Sequence, residues 1–174
     1  MKKYLGILVI SLSLACNNSE QKSAEKKDST VNKATTSAIS FKDSKLQTLY
    51  TSYLNLKDAL VAGKQQEATA ASKLLSGDLK SYTGCENTGL IADKITTAKD
   101  LAGQRKEFTS LSADVIALFK HADLTAGTIY VQHCPMANNG DGGDWLSTEK
   151  KIQNPYYGAE MMECGSVIQE IKSK

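Results

Sequence analysis

Long apolar runs are scarce in this chain, and neither sign of charge is in clear excess. Its 174 residues carry 21 basic and 19 acidic side chains. No stretch supplies the roughly 20 consecutive apolar residues that a membrane-spanning helix needs. The near balance of charge leaves no basic field for nucleic acid. Histidine occurs only twice. There is no HExxH run, no phosphate-binding glycine loop and no Ser-His-Asp set. No Cys-x-x-Cys-His run announces a c-type haem. Cys134 does stand beside His133, but neighbours in an extended chain point to opposite faces, so the two would need a turn to meet as a nucleophile and its base. These absences point away from an enzyme.

What is present begins at the N-terminus. Met1, Lys2 and Lys3 precede an apolar run from Tyr4 to Ala15, which has the form of a secretory signal over residues 1–15. Ala15 stands immediately before Cys16, and this junction resembles the lipobox of bacterial lipoproteins, with Ser13 where that pattern has a large apolar residue. The resemblance implies lipidation of Cys16 and attachment to a membrane; the other reading is an ordinary cleaved signal. Residues 17–42 are rich in Asn, Ser, Lys, Glu, Thr and Ala, too polar to offset their ordering entropy. Residues 16–42 are therefore expected to be a disordered tether, with the fold over 43–174. That leaves about 130 residues, enough for one domain with a core. The formal charge of +2 includes Lys2 and Lys3, so the chain without its signal is near neutral.

From Ser44 to about Asp123 the pattern is helical. Leu46, Leu49, Tyr50, Tyr53, Leu56 and Leu60 recur every three or four residues, and Gly63 is a stop. Gln65 to Tyr82 repeats the pattern with Ala68, Ala71, Leu74, Leu75 and Leu79, before Gly84. A third helix is predicted from about Asn87 to Leu101, and a fourth from about Gln104 to His121. Short connections predict an antiparallel, up-down four-helix bundle. The fold class is mainly α. His121 reads as a helix C-terminal residue, and Cys85 as a loop residue after the second helix.

Residues 124–174 differ in kind. They hold both prolines, the only tryptophan, three of the four methionines and six of the twelve glycines. A short strand is predicted over Thr128–Gln132, an irregular loop around Asn138–Asp144, and a short terminal helix with Val167, Ile168 and Ile171 packing back. This is a loop-rich C-terminal cap on the helices.

The cap carries the chemistry. His133-Cys134-Pro135-Met136 and Met161-Met162-Glu163-Cys164-Gly165 each pair a thiol with a thioether at close spacing. If the chain between them folds back, Cys134, Met136, Met161 and Cys164 converge. Sulfur ligands select soft metals, and thioether favours Cu(I) over the zinc that Cys and His alone would hold. His133 would add a nitrogen ligand. Three readings remain open for the thiols: a metal site, a Cys134–Cys164 disulfide, or packing. Oxidation of a dithiol site would also interconvert the first two.

The runs Tyr130–Ala137, Trp145-Leu146-Ser147, Ile152–Gly158 and Met161–Gly165, with Gln104–Phe108 before them, resemble the family called domain of unknown function 3347. The resemblance extends over about residues 43–172. That family occurs as lipoproteins and fused to periplasmic adaptor subunits of heavy-metal efflux pumps. It implies a periplasm-facing, lipid-anchored protein that binds a soft ion such as Cu(I). The expected partners are an efflux pump component or a cuproprotein, with sequestration or delivery as the task. The resemblance implies a role for Cys134, Met136, Met161 and Cys164, and none for His133, Met162 or Cys85.

Overall fold

The computed structural model describes residues 38–173. The expected signal over 1–15, the lipidation at Cys16 and most of the expected tether lie outside the described residues. The described chain is mainly helical, with four helices and small antiparallel sheets. None of its helices is long and apolar enough to cross a membrane.

The first described element is Ser40–Phe41 (β1), a little ahead of the boundary expected at residue 43. Phe41 is the reason. Its ring is buried against Tyr50 and Phe119, with centroids 5.5 and 5.1 Å away. Helix α1 (Ser44–Val61) starts at Asp43, whose carboxylate accepts from the Lys45 backbone N–H at 2.8 Å. Such a cap satisfies one of the donors that a helix start leaves over. The helix stops at Gly63, which takes φ +69°. There the Lys64 N–H bonds to Ala59 O and the Gly63 N–H to Leu60 O, the Schellman pattern that only a left-handed residue permits.

Helices α2 (Gln65–Lys80), α3 (Glu86–Thr97) and α4 (Leu101–Lys120) follow, each packed on its predecessor. The buried face of α1 is the predicted one, from Leu46 through Leu60. In α2, Ala68, Ala71, Leu75 and Leu79 are buried. Leu74, expected with them, is instead exposed at 67 %. Two adjacent leucines cannot both face one side of a helix, and Leu75 has the inward place. Asp100 caps α4 by accepting from the Gly103 N–H at 2.7 Å. His121 is the C-cap of α4, and Cys85 the residue before α3.

After α4 the chain changes to strands. Leu124–Ala126 (β2) pairs antiparallel with β1. Thr128–Cys134 (β3) runs two residues beyond the predicted strand and forms the centre of a three-stranded antiparallel sheet. Its neighbours are Gly143–Ser147 (β4) and Ser166–Lys172 (β5), in the order β4-β3-β5. The expected terminal helix is therefore a strand. Val167, Ile168 and Ile171 are β-branched and fit a pleated edge, and β3 offers them a ladder from Thr128 to His133. The predicted loop begins as expected, with Asn138 and Asn139 both at positive φ, but it gives way to β4 by Gly143.

One side chain joins the helices to the sheet. Tyr53 of α1 is fully buried and stacks on Phe108 of α4, 5.7 Å between centroids. Its hydroxyl lies 2.6 Å from Ser112 Oγ of α4 and accepts from the Leu146 N–H of β4 at 3.1 Å. An edge-strand donor that would otherwise be buried without a partner is thus satisfied.

Candidate functional site

Strand β3 ends at Cys134, and its register fixes what surrounds that thiol. Cys134 pairs with Gly143 and Gln132 with Trp145. Residues two apart share a face, so the Cys134 side chain stands on the Trp145 side of the sheet. His133, paired with Asp144, stands on the other. The segment from Thr148 to Gly165 returns over the Cys134 side. Asn154 anchors it from a fully buried position. Its Oδ1 accepts from the backbone N–H groups of Tyr156 at 2.8 Å and Tyr157 at 3.3 Å. Its Nδ2 donates to Cys164 O at 3.0 Å, and its own backbone N–H to Met162 O at 3.0 Å. One asparagine thereby ties the Asn-Pro-Tyr turn to the Met-x-x-Cys-Gly segment.

The result is a pair of thiols. Cys134 Sγ and Cys164 Sγ are 3.0 Å apart, and both residues are free cysteines. Cys134 is wholly buried, whereas Cys164 is partly exposed. Gly165 permits the close approach. Its φ is +142°, and a Cβ there would stand 2.6 Å from His133 O. Burial and the Cys134 thiol act together on Cys164. Hydrogen bonding from Cys134 comes first, then desolvation, and they raise the Cys164 pKa against the Met136 backbone N–H, which lowers it.

The methionines meet this pair through their backbones. Met161 O accepts from the Cys164 N–H at 3.1 Å, and the Met136 backbone acts on the Cys164 thiol by lowering its pKa. Met136 is itself held by the Tyr157 hydroxyl, which donates to its carbonyl at 2.6 Å. Its side chain is exposed at 52 %, and Met161 is partly buried. His133 does not join. Its Nδ1 lies 2.6 Å from Asp144 Oδ1, on the opposite face of β3 from Cys134. Strand alternation, the same rule that argues against a Cys-His nucleophile, separates it from the thiols.

Among the described residues no three His, Cys, Asp or Glu side chains converge as a metal group would require. Any ion here would rest on the two thiolates and on thioether or backbone neighbours. The pair fits such a guest with a small adjustment. In a tetrahedral site with metal–sulfur bonds of about 2.3 Å the sulfurs would part by under an ångström, and in a near-linear two-thiolate site they would part further. Trp145 and Tyr156 pack behind them, their rings 6.1 Å apart, and Tyr156 also meets Phe108 of α4 at 5.8 Å. They join the cap to the helices. Cys85 is buried at the start of α3, its thiol pushed up first by burial and then by Glu86 and Asp114.

Sequence reasoning missed the roles of Asn154, Tyr157 and Asp144. The Asn-Pro-Tyr-Tyr run was visible as a motif. Its work is done on residues up to 21 positions away, which no local pattern reveals.

Residues 49–127 match a family model described as protein of unknown function (DUF3347). The matched span takes in the helices from Leu49 onward and β2, and it ends before β3 and the thiol pair. No curated protein and no solved structure matches the chain.

Proposed function

The chain belongs to the DUF3347 family, and from that premise we propose that it is a cell-envelope lipoprotein that binds Cu(I) through Cys134 and Cys164. In this reading the four helices are an up-down bundle serving as a scaffold. The cap is the binding element, and the lipid on Cys16 keeps it at a membrane, facing the periplasm. The task is sequestration or delivery to an efflux pump component or a cuproprotein. The supporting observation is the 3.0 Å approach of two thiols, one of which donates its backbone N–H to the carbonyl of Met161. Thiolates and thioethers are the ligands that soft ions prefer, and a thioether that swings on and off suits transfer by ligand exchange. In this reading Met136, half exposed two residues after Cys134, would meet an incoming partner.

The test is titration of the reduced protein with Cu(I) against a coloured chelator. One equivalent should be taken up by the parent protein, with at least a tenfold loss of affinity in Cys134→Ser and in Cys164→Ser. Met136→Ala should weaken binding less, and His133→Ala should leave it unchanged. Equal uptake by the parent and both cysteine variants would overturn the reading.

A second reading is a structural disulfide between Cys134 and Cys164 in an interaction module of an envelope efflux complex. It is favoured by the absence of a third His, Cys, Asp or Glu at the pair among the described residues. A bridge that resists mild reductant, with no copper uptake, would establish it.

A further inference from the structure

The two thiols are unequal in a way that neither a static metal site nor a static bridge requires. Cys134 has no exposed surface and is fixed in the central strand of its sheet. Cys164 is partly exposed, in the loop between a 3-10 turn at Gly158–Glu160 and β5. Cys164 is thus open in part to solvent, and Cys134 is not. The buried sulfur is already 3.0 Å from its partner, within about an ångström of bonding distance.

We propose that Cys134 and Cys164 form a reversible dithiol–disulfide couple that exchanges with external disulfides, in which Cys164 attacks first and Cys134 resolves. The substrate class is a small-molecule or protein disulfide, RS–SR. In the first step the Cys164 thiolate attacks one sulfur of RS–SR. A Cys164–SR bond forms, the S–S bond breaks, and RS⁻ leaves. In the second step the Cys134 thiolate attacks the Cys164 sulfur, forms the internal disulfide and expels the second RS⁻. Two protein thiols are oxidised by two electrons and one disulfide is reduced to two thiols, which take up the two protons the cysteines release. The order follows from access alone: Cys134 needs no path to solvent, because its target is the sulfur beside it.

The couple stands on the geometry of the pair. Its consequence for the ion rests on the Cu(I) reading above. Both sulfurs are needed to hold Cu(I), and both are consumed by the disulfide. Loaded protein therefore resists exchange, and oxidised protein releases the ion. External disulfide becomes an unloading signal.

The test uses the full-length reduced protein with oxidised glutathione, followed by alkylation and peptide mapping so that Cys16 and Cys85 are read separately. The parent protein should end with Cys134 and Cys164 joined and both closed to alkylation. Cys134→Ser should accumulate a glutathione adduct on Cys164. Cys164→Ser should form its adduct on Cys134 at least tenfold more slowly. A parent protein that keeps both thiols open, or an adduct on Cys134 in Cys164→Ser as fast as on Cys164 in Cys134→Ser, would overturn the couple. Stoichiometric Cu(I), where it binds, should slow the closure in parallel with occupancy. Closure at one rate with and without bound Cu(I) would overturn the gating. Absence of Cu(I) uptake by the reduced protein would instead fail the proposed function and leave the couple to be decided by its own adducts.

Discussion

Cys164 holds its proton more firmly than an ordinary thiol, because Cys134 hydrogen-bonds to it and the cap partly desolvates it. The folded state therefore favours the neutral thiol. Its contribution to stability is present below the ordinary thiol range and is lost as pH rises through the raised pKa. For an ion the sign is opposite. Binding must displace that proton, so the apparent Cu(I) affinity should rise with pH. Titrations at intervals between about pH 6 and 8 should show steady tightening, and a flat profile would mean that no thiol proton leaves on binding. Single residues also mark how far the sequence could be read. Cys134, Cys164 and their flanking methionines were legible as a set, since soft donors at close spacing are rare enough to notice. His133 was legible only as a neighbour. Placing it against Asp144 required the register of β3 on β4, which depends on residues 10 or more positions away.

Among the elements, the helices were legible because the 3.6-residue period repeats over three to five turns and is closed by specific ends. One end was misread: the third helix, expected to run to about Leu101, stops at Thr97, and Asp100 instead caps the fourth. Its carboxylate takes the Gly103 N–H at the start of the longest helix, the one that carries Phe108, Leu111, Ser112 and Val115 into the core. Asp100→Ala should cost about 1 kcal/mol, read as a lower urea midpoint with an unchanged slope. Asp100→Asn, which can still accept, should recover most of that loss. The strands were harder to read. Over seven residues, Val167, Ile168 and Ile171 fit one face of a helix as well as an edge of a sheet, and only the open side of β3 decides between them. Phe41 was passed over for a related reason: one phenylalanine in a polar stretch is no pattern, yet it fills a specific aromatic site.

For the whole molecule, the decisive contact is the one between the helices and the sheet. Tyr53 supplies it with a hydroxyl that burial keeps protonated, its pKa raised chiefly by desolvation. Tyr53→Phe preserves the ring stack on Phe108 but leaves the Leu146 N–H and Ser112 Oγ buried without that partner. The expected loss is about 1–3 kcal/mol in a denaturant melt, with helix content unchanged in the folded baseline. A loss within error of zero would show that the sheet does not depend on this tie. The helical half and the thiol-bearing half thus lean on each other through a few buried polar atoms. The order of the chain gives this arrangement a meaning in time. The helices are complete when residue 120 has been made, whereas the second thiol at Cys164 and the strand Ser166–Lys172 are made later. A chain cut short before Cys164 would lose the pair altogether, so a working site also certifies that synthesis ran past it.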